Sequence, residues 1–311
     1  MTKMQVRSIG LVALLALSAF LLAASPKNVW LECYVPRAAL TQTLDQEAGG
    51  RVGGGDQARL DMYRKIAWTS AYEQNVAVQV GDAETVNAFM KQHGFEDAMP
   101  VSGNMNAAAL LKVIYTWDKG SAAETTPMRV HGKEYPVVRM YGSPNATLYN
   151  YDERDMVRIS ALGDDHTPVL VTFMKLKPGD LARGPWELAT SETIQPVAQQ
   201  ERFDIEFPML YVKGHTESMP EFLNVLFKHS PVDRATQVTR VHVDHRGGGV
   251  ESLAVLETRG VGLTYDPAPR VIKFGEAGAP FLYVISKPNT RTPAMAMYAS
   301  PENAWGRPPL R

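Results

Sequence analysis

From residue 110 onward the chain is divided into short apolar runs that end in Gly, Pro, Asp or Asn, and this rhythm restricts the possible folds more than any other feature. Residues 110–117, 128–130, 137–141, 147–151, 156–161 and 169–175 form one series of such runs. Residues 203–212, 238–244, 252–257, 271–274, 281–285 and 294–299 form a second. Each run is too short for a packed helix and suits a strand closed by turn residues. The first hundred residues read differently. Residues 28–31 suggest a brief strand, and 38–48 carry helix formers stopped by Gly49-Gly50. The glycine-rich stretch 49–55 reads as a flexible connector; it lacks the Lys-Ser/Thr ending of a phosphate loop. A short helix is expected over 58–67 and strand over 69–80, with period-two alternation from Asn75 to Val80. Asp82 is placed to cap a helix with Thr85, Val86, Phe89 and Met90 on its apolar face, ended by Gly94. Pro220 opens a further short helix over 220–227. Helices early and many antiparallel strands later define an α+β fold.

Composition narrows the function. A formal net charge of −1 offers no concentrated basic face, which argues against a nucleic-acid partner. Residues 1–25 place Lys3 and Arg7 before an apolar run that ends in Ala23-Ala24-Ser25, the pattern of a secretory signal peptide. A retained signal-anchor is the alternative, although the run is shorter than the roughly 20 residues a membrane span needs. Once the signal is cleaved, no stable membrane insertion is expected, and residues 26–311 form a single domain. Asn145-Ala146-Thr147 is a glycosylation sequon, which has meaning only in a secretory lumen. Cys33 is the only cysteine, so no intrachain disulfide exists and a buried thiol is expected.

Several segments, taken in order, resemble the serpin superfamily. The C-terminal run Ala279-Pro280-Phe281-Leu282-Tyr283-Val284-Ile285, the hairpin at 289–293 and the strand Ala294 to Ser300-Pro301 are similar to the closing strand pair of serpins. Residues 106–120, with Leu110-Leu111-Lys112-Val113-Ile114-Tyr115 and Trp117, look like the central serpin strand and its breach tryptophan. Residues 127–157 follow the order of two further serpin sheets, and Asp204 to Gly214 resembles the strand before a short helix. The likeness covers about residues 28–301. It implies a large central, mainly antiparallel sheet with further sheets and an exposed reactive-centre-like loop. The chain departs from the family in its reduced N-terminal helices and in Glu32-Cys33 at the place of a Ser-Pro pair. This trimming is similar to that of some viral serpins.

The resemblance also implies an activity. An inhibitory serpin offers a loop as bait, and the cleaved loop inserts as a new strand that traps the protease. Here Gly247, Gly248, Gly249, Val250, Glu251 and Ser252 occupy the hinge, where the family favours small residues. Because strand faces alternate, Gly248, Val250, Ser252 and Ala254 are expected to point inward. Glu251 and Leu253 are bulkier than the pattern wants, so insertion is expected to be impaired rather than abolished. Arg259, Asp266 and Arg270 are the candidate scissile residues. Arg259 is preferred, because Asp266 precedes Pro267; an Arg would suit a trypsin-like serine protease, and Asp266 a cysteine protease. Ordinary solvated loop residues remain the alternative for all three. The implied partner is an extracellular serine protease or another secreted or receptor protein, and the implied location is extracellular. A non-inhibitory serpin-fold protein that binds a protein or ligand, such as a viral immune modulator, stays open.

No enzyme motif emerges. His242, Asp244 and His245 do not converge on one strand face, so no metal site is expected. Asp164-Asp165-His166 reads as a solvated hairpin turn rather than an acid–base pair. Gly-x-Ser-x-Gly, His-Glu-x-x-His and Gly-x-Gly-x-x-Gly patterns are missing from the sequence, and no cofactor is implied.

Overall fold

A computed structural model describes residues 29–308 except 96–99, 104, 118–120, 143–145, 152–153, 191–202, 251–269 and 289. In chain order the N-terminal part contains β1 (Leu31–Glu32), α1 (Val35–Glu47), α2 (Gln57–Arg64), α3 (Thr69–Tyr72), β2 (Val76–Gly81) and α4 (Ala83–Gln92). Next come β3 (Asn106–Leu111), β4 (Val113–Thr116), β5 (Ala122–Val130), β6 (Lys133–Met140), β7 (Ala146–Tyr151), β8 (Arg154–Gly163) and β9 (Pro168–Lys175). After α5 (Pro185–Thr190) follow β10 (Phe203–Pro208), β11 (Leu210–Ser218), β12 (Leu226–Phe227), β13 (Ser230–Pro231), β14 (Thr236–Val243) and β15 (Gly247–Val250). The chain closes with β16 (Arg270–Lys273), β17 (Phe281–Ser286) and β18 (Pro293–Ala299).

Among the described residues one ten-stranded sheet runs β1-β18-β17-β9-β8-β4-β15-β14-β11, with β7 on β8. A second sheet has the order β16-β10-β6-β5, and two-stranded pairs β2-β3 and β12-β13 complete the set. Apolar side chains from the two larger sheets meet in one core. Phe173 lies at its centre, with ring centroids 4.5 Å from Phe207, 5.5 Å from Phe274 and 5.4 Å from Tyr283. Strands β17 and β18 are buried almost throughout, which is why they read as continuous apolar runs rather than alternating ones.

Helix α4 forms as its sequence dictates. The Asp82 carboxylate accepts a hydrogen bond from the Thr85 amide at 2.9 Å, and Gly94 follows the helix with φ +77°. Four other segments differ from the local reading. Residues 69–75 are helical instead of extended, because Tyr72 is drawn fully into the core and its hydroxyl donates to the Thr292 carbonyl at 2.7 Å. The apolar run 110–117 is broken at Lys112, whose amide bonds the Asn75 carbonyl at 2.7 Å; β3 pairs with β2 while β4 joins the large sheet. Residues 220–227 form one 3-10 turn, Pro220–Phe222, and then a strand of a small hairpin.

The glycine-rich connector is docked rather than free. The Leu226 amide bonds the Gly53 carbonyl at 2.8 Å, and the Asp56 amide bonds the Glu221 carbonyl at 3.0 Å. Gly54 has φ +75°, and a Cβ there would overlap the Asn224 carbonyl oxygen. Gly54→Ala is therefore expected to cost about 3 kcal/mol, from left-handed strain plus overpacking against backbone. Urea unfolding of the variant beside the parent checks this.

Candidate functional site

The glycine cluster at 247–249 sits inside the large sheet. β15 lies between β4 and β14 and pairs antiparallel with both: Gly248 with Tyr115 and Val243, Gly249 with Ile114 and His242, and Val250 with Val113 and Val241. All four β15 residues are buried, and Val250 belongs to the same apolar cluster as Val113 and Val241. Glycine is required by contact. A Cβ on Gly247 would overlap the Tyr115 carbonyl oxygen. On Gly248 it would lie 2.6 Å from the His242 carbonyl oxygen and 2.7 Å from the Tyr115 hydroxyl.

A turn at 244–247 feeds the strand, and Trp117 holds it. The indole Nε1 donates to the Asp244 carbonyl at 2.8 Å, and the Trp117 amide donates to the Arg246 carbonyl at 3.1 Å. The Asp244 carboxylate accepts from the Arg246 amide at 2.7 Å and the Gly247 amide at 3.3 Å. Asp244 thus acts as a turn acceptor. Among the described residues no group of three or more His, Cys, Asp or Glu side chains is placed to hold a metal ion.

Beyond Val250 no described strand covers the neighbouring edges. No strand among the described residues pairs with β3 on the side away from β2, or with β14 beyond Val241 on its β15 side. If the register continued, position 252 would face Leu111 and Thr239, and position 254 would face Ala109 and Gln237. Beneath this line lies a buried polar network. The Arg37 guanidinium on α1 bonds the Gln237 side chain at 2.5 Å, the Glu221 carboxylate at 2.8 Å and the Glu217 carboxylate. Gln237 in turn donates to the Cys33 carbonyl at 2.8 Å. Cys33 is buried, donates its thiol to the Ala294 carbonyl at 3.2 Å, and burial pushes its pKa up to about 12. Local periodicity gives no sign of this network, since Arg37 lies 180 or more residues from Glu217, Glu221 and Gln237.

The β8–β9 turn braces the other edge of β4. Gly163 and Leu162 pair with Tyr115 and Thr116, and the Asp164 amide donates to the Ile114 carbonyl at 3.1 Å. This turn is not the simple solvated hairpin that Asp164-Asp165-His166 suggests. Asp165 forms an ion pair at 2.5 Å with Lys287, whose side chain is only 6% exposed. Burial works against the Asp165 carboxylate, but the Lys287 ammonium and the Thr167 donors outweigh it and hold its pKa down at about 2. A carboxylate with a depressed folded pKa stabilises above its unfolded pKa and loses that contribution as pH falls through the folded value. Asp165→Asn is expected to cost about 2 kcal/mol at pH 7, and the deficit should vanish near pH 2. Urea titrations of both proteins across that range measure it.

Of the three candidate scissile residues, only Arg270 lies among the described residues. It is the first residue of β16, in register with Phe203, with its guanidinium 3.1 Å from Asp155. A backbone tied into a ladder is a poor protease substrate. Arg259, Asp266, Glu251 and Ser252 lie outside the described residues, as do Asn145 and the 1–25 segment. No helix among the described residues is long and apolar enough to cross a membrane.

No family model and no curated protein matches the sequence. Solved structures do match the fold. A serpin from the trematode Schistosoma haematobium is 10% identical, aligned over 87% of this chain and 93% of that one, with a TM-score of 0.53. Human thyroxine-binding globulin complexed with thyroxine is 11% identical over 90% and 93%, with a TM-score of 0.52. Mouse protein-Z dependent protease inhibitor is 10% identical over 86% and 89%, with a TM-score of 0.51. At such identities the likeness concerns the fold alone, and that fold is the serpin fold.

Proposed function

We propose that this serpin-fold chain is an exported protease inhibitor that offers residues 251–269 as bait and takes the cleaved segment up as a further strand of its large sheet. One observation carries the reading: Gly247–Val250 already pairs between β4 and β14, and no strand among the described residues pairs with the edges beyond Val250 in the same register. A strand added there would gain ladder hydrogen bonds on both sides and bury alternate side chains. The inward positions 252 and 254 are Ser and Ala, small enough to enter. Arg259 is the bait residue in this reading, which makes a trypsin-like serine protease the partner. Cleavage of the 1–25 signal and a glycan on Asn145 belong to the same proposal, because the bait must meet an extracellular protease.

Limited digestion with a trypsin-like protease, followed by a denaturing gel and a melting curve, tests it. A denaturant-resistant adduct, or a rise in melting temperature of about 10 °C or more after cleavage between Gly247 and Phe274, is the expected result. Nicking with neither adduct nor stabilisation overturns inhibition. It would leave a non-inhibitory protein that binds a partner or ligand, a reading favoured by the bulk of Glu251 and Leu253 beside the hinge.

A further inference from the structure

We infer that Tyr115 is a positioning residue that sets the register in which the 247–250 strand joins the sheet. The inference deepens the reading of this segment as the leading end of an insertable strand, and rests on it. A Gly-Gly-Gly-Val strand is nearly degenerate. Its ladder hydrogen bonds form equally well in several registers, and glycine-rich strands are prone to slip. The turn at 244–247 favours one register, and the side chains beside the strand must exclude the others.

A slip of one residue is excluded by Val250. It would reverse the faces and turn the valine out of the cluster it shares with Val113 and Val241. A slip of two residues keeps the faces, so Val250 does not forbid it; the Tyr115 phenol does, together with the His242 carbonyl oxygen. Its phenol covers Gly248, with the hydroxyl 2.7 Å from where a Cβ would stand. A two-residue slip one way puts Val250 in that place, and the other way puts Arg246 there. Neither side chain fits.

The phenol cannot swing aside. Its hydroxyl is 2.6 Å from the Tyr283 hydroxyl on β17, both rings are buried, and Trp117 packs edge-on at a centroid distance of 4.8 Å. Moving it would leave two buried hydroxyls without each other. The sheet therefore reads a position of the hinge that must be bare.

Engineered cystine pairs measure the register, because the only native cysteine is buried. Val241→Cys with Val250→Cys reports the observed register, and Val243→Cys with Val250→Cys reports the two-residue slip. With Tyr115 present, only the first pair is expected to oxidise efficiently. In Tyr115→Leu the ratio of slipped to observed pairing should rise about fivefold or more, the least that overpacking normally exacts. An unchanged ratio in Tyr115→Leu overturns the inference. So does comparable yield of the two pairs with Tyr115 in place, and that comparison stands even if Tyr115→Leu fails to fold. A ratio that ignores Tyr115 beside normal stabilisation on cleavage removes only this inference. A Tyr115-dependent ratio without that stabilisation removes only the inhibitor reading.

Discussion

Gly248→Val is expected to drive the 247–250 strand out of the large sheet, with a loss of about 3 kcal/mol and of any stabilisation on cleavage. Two effects add. The valine would meet the His242 carbonyl oxygen and the Tyr115 hydroxyl, neither of which can retreat cheaply; overpacking of this kind costs about 1–3 kcal/mol. If the strand leaves, Val250 also loses its burial between Val113 and Val241, worth roughly 1.5–3 kcal/mol. The chain escapes the larger penalty by accepting the smaller, so the sum is not paid in full. Urea unfolding gives the stability change. Hydrogen exchange of the 248–250 amides shows whether the strand has left. Retention of slow exchange at those amides would refute the expectation.

The second large effect lies at Arg37. Removing it in Arg37→Ala leaves the Glu217 and Glu221 carboxylates without the guanidinium that faces both, and Gln237 without its donor. Breaking a buried ion pair from one side typically costs about 3–5 kcal/mol, and Arg37→Ala should fall in that range at pH 7. The pH dependence identifies the cause. Burial already raises the Glu217 carboxyl above its ordinary value despite the arginine. Without the arginine the Glu217 carboxyl should bind a proton more readily in the folded state than in the unfolded chain. Acidification then favours the folded variant, and its deficit relative to the parent should narrow between pH 7 and pH 5. A deficit independent of pH would point instead to lost packing of the side-chain stem. Melting curves at the two pH values separate these outcomes.

Much of the architecture was legible locally, and the reason is visible in individual elements. Asp82, the apolar positions through Met90, and Gly94 carry the whole description of α4 within one short stretch of chain. β17 and β18 are fully apolar runs between turn residues, and any antiparallel pairing buries them. The order of strands similar to serpins pointed to the fold that the solved structures share. What escaped was set by distant partners. Thr69–Tyr72 carries no strong period, and the burial of Tyr72 decides its conformation. Arg37 reads as an ordinary helix-surface residue until β11 and β14 bring Glu217 and Gln237 to it. Lys287 and Asp165 belong to different hairpins. At the glycine cluster, the sequence marked Gly247–Gly249 as exceptional through composition alone. It held no sign that the uncut segment lies in the sheet, because that depends on the space beside Tyr115 and Ile114.

The placement of β1 has a consequence for how the molecule is made. Its two residues pair with Met297 and Ala296 of β18, and Cys33 bonds Ala294 across 261 residues of chain. A ribosome therefore delivers one partner of these contacts long before the other. Leu31 and Val35, fully buried in the finished protein, must wait in a nascent chain whose last core strands are not yet synthesised. Contacts this remote in sequence make folding slow and leave incomplete chains prone to association. The core can close only once β18 has been made, and a ribosome stalled before β17 would hold a chain that has most of its strands but cannot close its largest sheet.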